Sequence, residues 1–137
     1  MRGKLKRWAG RASEIIMAPL TMSELSEKKC KPCEGGVRPL ARGEARRQIS
    51  ALEGWTLAPD GKSISRDLLM GDFAAAVELI NAIASAAETD GHHPDLHLTG
   101  YRKLRVELTT HAIGGLSEND FILAAKIQKL PKTLKTA

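Results

Sequence analysis

The chain has 137 residues, enough for one domain with a single core, though with a surface-to-volume ratio that self-association would relieve. Its residues are 42% hydrophobic and only 4% aromatic, so the core has to be aliphatic, and no apolar run approaches the roughly 20 residues a membrane-spanning helix needs. The formal charge of +5 is concentrated at one end: residues 1–21 hold Arg2, Lys4, Lys6, Arg7 and Arg11 against Glu14, and the remainder is close to neutral, which argues against a basic surface for phosphate backbones there.

Residues 1–21, with Trp8, Ile15 and Ile16 as their main apolar members, have the spacing of an amphipathic helix. They read as a disordered or removable extension, either an Arg-rich, acid-poor transit peptide or a stretch upstream of a start at Met22, followed by a single domain over 22–137. Cys30-Lys31-Pro32-Cys33 has metal-ligand spacing, but a tetrahedral site needs four ligands and there is no second cysteine pair, so a Pro/Gly-rich loop packed on the domain is the simpler reading. A helix follows over Leu40 to Leu52, with Leu40, Ala41, Ala45, Ile49 and Leu52 inward, and Gly54 stops it. Trp55 to Leu57 and Ser63 to Leu69 read as strands around the turn Pro59-Asp60-Gly61-Lys62. Trp55 is either plain core or the wall of a pocket for a flat heterocycle.

Asp72 caps a helix running from Phe73 to about Thr89, with Phe73, Val77, Ile80, Ile83, Ala84 and Ala87 expected on the buried face. Glu88 falls in its last turn, where a carboxylate opposes the helix dipole, so it is either a solvated end charge or a group held there for a purpose.

The stretch from Gly91 to Leu123 carries most of the chemistry-bearing residues. His92 and His93 precede Pro94, which disfavours helix at His93. Arg102 to Thr110 alternates, with Leu104, Val106 and Leu108 on one face, and reads as a half-buried strand ending at His111. Gly114-Gly115 makes a turn, and Ser117-Glu118-Asn119-Asp120 is a capping-box-like start to a last helix reaching about Leu130. His111 at a strand end and Asp120 in a first helical turn can thus both approach the His92-His93 loop. His93 and His97 have the i, i+4 spacing of a zinc pair, but H-P-D-L-H lacks the glutamate of H-E-x-x-H and begins at a proline, so His97 reads as an exposed loop or strand residue. Two strand pairs joined by turns, in the order α-β-β-α-β-β-α, predict an α+β domain of two layers: a four-stranded antiparallel sheet with three helices on one face.

Glu88, His92, His93, Pro94, Tyr101, Thr110, His111, Gly115, Leu116, Ser117 and Asp120, with C-x-P-C-E-G-G at Cys30 to Gly36, Gly54-Trp55, Ile64 and Asp72-Phe73 upstream, make a chain that resembles the pterin-4a-carbinolamine dehydratase family over roughly residues 22 to 130. It departs from the family pattern at Leu96-His97, where many members carry Trp, and at Leu104. The resemblance implies the same α+β fold and a lyase that removes water from a 4a-hydroxytetrahydropterin to give the quinonoid dihydropterin, in tetrahydrobiopterin recycling beside an aromatic amino-acid hydroxylase. It implies catalysis by His92, His93 and His111 with Asp120, substrate binding by Glu88, Pro94, Trp55 and Thr110, no metal and no organic cofactor. His93 is then the main acid/base, and histidine suits either proton transfer near neutral pH. A homodimer or homotetramer in the cytoplasm is implied, or an organelle if residues 1–21 are a transit peptide, with no direct nucleic-acid binding and no membrane partner. The alternative carried by the same resemblance is an oligomeric interaction or assembly module, like a transcription cofactor, that needs little catalysis.

Overall fold

A computed structural model describes residues 20–32 and 38–136. The expectations placed on residues 1–19 and on Cys33 fall outside them. Thr21 caps the first helix, α1 (Met22–Glu27): Glu24 N–H donates to Thr21 Oγ1 (3.2 Å) and Thr21 N–H to Glu24 Oε1 (2.9 Å), a reciprocal capping box. Among the described residues this helix is a fourth, beyond the three expected, and it buries Leu25 completely. Next comes α2 (Arg42–Ile49), shorter than predicted at both ends, with Ala45 buried as expected and Ala41 exposed.

Strands β1 (Thr56–Leu57), β2 (Ile64–Leu69), β3 (Asp95–Thr99) and β4 (Lys103–Leu108) form one antiparallel sheet in the order β1-β2-β4-β3. The register sets Leu68 opposite Leu104 and Ile64 opposite Leu108, so Ile64, Leu68, Leu104, Val106 and Leu108 share the buried face, while Asp67, Leu69, Lys103 and Arg105 face solvent. Two connections hold β4 in place. The β3–β4 hairpin turns through Gly100 (φ 53°) and Tyr101 (φ 56°), the pair of positive φ values that a tight turn matching strand twist requires. At the other end Thr110 pairs with Gly115.

Helix α3 (Phe73–Asp90) starts at Asp72, whose carboxylate accepts from Ala75 N–H (2.8 Å). Its buried face differs from the predicted one. Ala76, Leu79, Ile83, Ala87 and Asp90 are inward, while Phe73 is 54% exposed and Ala84 also faces solvent. The alanine-rich sequence offers two overlapping apolar stripes, and the one carrying Leu79 and the small residues Ala76 and Ala87 lets α3 approach closely; Ile83 and Ala87 belong to both. The last helix, α4 (Glu118–Lys129), is the centre of the core, with every residue from Asn119 to Ala125 buried, and α1 packs along it. Among the described residues no helix is long and apolar enough to cross a membrane.

Candidate active site

Three chain features bring the site together. Gly91 ends α3 in the left-handed conformation (φ 65°), a backbone state that glycine adopts without strain, and His92 N–H closes back onto Ala87 O (3.2 Å). The histidine pair therefore leaves the helix at once. Beyond β4 the chain makes a single 3-10 turn, His111–Ile113, closed by Gly114 (φ 70°). Gly115 then passes so close to Pro39 that an added Cβ would lie 2.9 Å from the proline Cβ, which holds the turn against the domain. Ser117 caps α4, and its N–H donates to Asp120 Oδ2 (2.9 Å).

A helix-capping carboxylate is ordinarily solvated; Asp120 is fully buried. It survives there by accepting three hydrogen bonds: from Ser117 N–H, from Thr110 Oγ1 at 2.7 Å on the same oxygen, and from His92 Nε2 at 2.7 Å on Oδ1. Thr110 has one hydroxyl proton, committed to Asp120, so Ser117 Oγ donates to Thr110 Oγ1 across 2.8 Å. The carboxylate fixes the tautomer of His92, with the proton on Nε2 and Nδ1 left as the basic nitrogen. The second imidazole is held in the same manner but in the open: His93 Nε2 lies 2.6 Å from Glu88 Oε2, with the histidine side chain 60% exposed. Glu88, 77% exposed at the end of α3, is thus both a solvated helix-end carboxylate and the partner of a histidine.

His92, His93 and His111 line one cleft of about 260 Å³, together with Thr109, Thr110, Ala112, Gly91, Lys31 and Asn119. That is slightly under the roughly 300–1,000 Å³ of drug-sized ligand pockets and suits one small planar molecule. Of the sequence-predicted residues, the structure brings together the three histidines, Asp120, Glu88 and Thr110 around this cleft. Pro94 follows the pair without lining the cleft. Trp55 is elsewhere, 7% exposed in the core with its indole N–H on Gln128 Oε1 (3.2 Å). His97 lies on β3, on the open face of the sheet, at the edge of a larger concavity of about 610 Å³ bordered by Asp67, Leu69, Lys103 and Arg105. Size alone does not make that hollow the site. Its ion pair, Arg105 with Asp67 at 3.1 Å, is internal, and its single imidazole is 3.8 Å from Glu107, beyond hydrogen-bond reach.

Lys31 and Asn119 were missed by the sequence reading, because Lys31 lies outside any periodic element and its contact with Asn119, in the first turn of α4, spans 88 residues: Lys31 N–H donates to Asn119 Oδ1 (2.9 Å) and Asn119 Nδ2 to Lys31 O (2.5 Å). Behind them Cys30 is buried, and burial first, then the hydrogen bond and charge of Asp90, push its thiol up to about 12. At neutral pH it is a protonated thiol, neither a nucleophile nor a ready metal ligand. Burial pushes the Asp90 carboxyl up, yet hydrogen bonds from Lys126 (2.6 Å) and Cys30 outweigh it and leave the group below its ordinary value. Among the described residues no group of three or more His, Cys, Asp or Glu is arranged to hold a metal ion.

A relative from Nitrosomonas europaea is 50% identical over 111 residues, covering 80% of this chain and 96% of its own. The mitochondrial pterin-4-alpha-carbinolamine dehydratase 2 of Arabidopsis thaliana is 42% identical over 113 residues, covering 80% of this chain and 60% of its own. Among solved structures, a transcriptional coactivator/pterin dehydratase from Brucella melitensis superposes with a TM-score of 0.62 at 30% identity, over 66% of this chain and 95% of that one. The profile described as pterin 4 alpha carbinolamine dehydratase matches residues 38–130, more than half of the chain and all of the site except Lys31. The chain belongs to the pterin-4-alpha-carbinolamine dehydratase family.

Proposed function

We propose that this protein is a hydro-lyase that converts a 4a-hydroxytetrahydropterin to the quinonoid dihydropterin by histidine acid/base catalysis. The observation that carries the reading is the convergence of His92, His93 and His111 on one cleft, with two of the imidazoles each held through Nε2 by a carboxylate. The elimination breaks the C4a–O bond. A proton must reach the departing hydroxyl so that water leaves, and a proton must come off a ring nitrogen so that the new double bond carries no charge. His92, with Nδ1 basic and Asp120 to stabilise the imidazolium it would become, suits the proton-accepting step. His93, in contact with solvent and with Glu88, can exchange its proton with bulk water and suits delivery to the hydroxyl. His111 completes the wall and assists.

In this reading the protein serves tetrahydrobiopterin recycling after an aromatic amino-acid hydroxylase, and it works as a homodimer or homotetramer in the cytoplasm. The unpaired outer edge of β3 and the exposed Phe73 are surfaces that self-association would cover; light scattering is then expected to give at least twice the monomer mass. The name of the Brucella relative couples dehydration with coactivation, yet a partner-binding role alone would not require a buried aspartate to select the tautomer of a cleft histidine. The direct test supplies the enzymatically generated carbinolamine and follows quinonoid dihydropterin by absorbance. An acid and a base each contribute on the order of a hundredfold, so dehydration is expected to run far above the buffer rate. No acceleration over buffer rejects the reading.

A further inference from the structure

Thr110 stands immediately before the turn that presents His111, and it is buried, at 3% exposure. Each of its hydrogen-bonding groups already has a partner inside the protein. Its N–H donates to Gly115 O (2.9 Å) and its carbonyl accepts from Ile113 N–H (3.1 Å), which clamps the turn. Its hydroxyl donates to Asp120 Oδ2 (2.7 Å) and accepts from Ser117 Oγ (2.8 Å). The neighbouring Thr109 sends its own hydroxyl elsewhere, to Lys62 O (2.6 Å). A threonine committed in this way has no proton to give a ligand.

What the hydroxyl does instead follows from the two oxygens of Asp120. Oδ2 accepts from both Ser117 N–H (2.9 Å) and the Thr110 hydroxyl, while Oδ1 accepts from His92 Nε2 (2.7 Å). The Ser117 N–H bond belongs to the capping box of α4 and forms at such a helix start wherever the other oxygen points. The Thr110 bond comes from beyond the end of β4, a different element. With both donors in place Oδ2 is pinned, and Oδ1 is turned to the imidazole. Ser117 Oγ, by donating to Thr110 Oγ1, directs the threonine proton at the carboxylate, and the chain of bonds reinforces itself.

We propose that Thr110 is a positioning residue that sets the orientation of His92 through Asp120, with Ser117 orienting the threonine hydroxyl. The inference rests on the dehydratase reading above, and it gives Thr110 a different part from the substrate binding that the family resemblance implies. No contact between its side chain and the pterin is needed.

Thr110→Val keeps the branched shape and both main-chain bonds and removes only the hydroxyl, whereas Thr110→Ser keeps the hydroxyl. In the valine variant kcat is expected to fall about tenfold, with KM and the affinity for 7,8-dihydrobiopterin within about twofold of wild type. The serine variant should recover kcat to within about threefold. Nitrogen-15 spectra of the imidazole rings of the full-length protein read the same coupling without turnover. The ring signals of His92 should be displaced by Thr110→Val and restored by Thr110→Ser, while those of His111 stay in place although it is the next residue in the chain. A merely structural disturbance would reach His111 first. Ser117→Gly, a tolerated cap that removes the hydroxyl directing the threonine proton, should displace His92 in the same direction by less, and it carries the test if the valine variant does not fold. A His92 signal that stays put, a pterin affinity weakened about fivefold or more by valine, or a kcat loss that serine does not recover overturns the proposal. The dehydratase assay is separate: turnover by the wild type with an unmoved His92 in the variants sinks only this inference, and a displaced His92 in a protein without turnover sinks only the enzymatic reading.

Discussion

Replacing Asp120 by Asn should lower kcat for carbinolamine dehydration by about a hundredfold or more while costing only about 1 kcal/mol of stability. The amide has the shape of the carboxylate but not its donor pattern. Its oxygen can still accept from Ser117 N–H and Thr110 Oγ1, which turns its NH2 toward His92 Nε2. That nitrogen must then accept, the proton moves to Nδ1, and the basic nitrogen of His92 is lost. Asp120→Ala removes the acceptor altogether. Three donors, buried or half-buried, then lose their acceptor, and the variant should lose about 2–4 kcal/mol as well as activity. Urea denaturation and steady-state kinetics on both variants separate the two effects. An Asn variant within about threefold of wild-type kcat would mean that the His92 tautomer does not matter to the chemistry, contrary to a role for it in proton transfer.

The second large effect is expected at His93 and its absence at His97. The His93 side chain is exposed and its ring is held by Glu88, so His93→Ala should leave the urea midpoint almost unchanged and lower kcat by about a hundredfold. His97 is comparably exposed on β3 but faces the open side of the sheet, and His97→Ala should stay within about twofold of wild type. Glu88→Gln, which keeps the contact but removes the charge behind the imidazole, should fall between them at about tenfold. Equal losses at His93 and His97 would undo the assignment of the cleft, since one substitution alters its wall and the other a surface on a different side of the sheet.

How far the sequence could be read depended on whether each feature is local. Strand β4 was legible because strict alternation over Lys103–Leu108 has a period of two and one buried face. The start of α4 was legible because a capping box occupies four consecutive residues, and that box already placed Asp120 in the first turn near the histidines. The box Thr21-x-x-Glu24 carries the same kind of signal for α1, but the helix it starts is only six residues long, too short to show an apolar stripe. The face of α3 was misassigned because alanine fills both candidate stripes, and only the partner surface, the sheet and α4, decides between them. Trp55 shows the opposite limit. A tryptophan near a proposed pocket is equally consistent with core, and only the long-range bond to Gln128 places it there. Lys31, Asn119 and the depth of Asp120 had no local signal at all, since each depends on contacts between segments remote in the sequence.

The central claim is that three imidazoles meet on one ligand. The chain contains four histidines, so the fourth, His97, is a built-in control. Nitrogen-15 spectra of the imidazole rings, recorded while 7,8-dihydrobiopterin is added, read all four in one experiment. The ring signals of His92, His93 and His111 are expected to shift together along one binding curve while that of His97 stays in place. A His97 signal that moves with the others, or a response confined to a single histidine, would contradict the account.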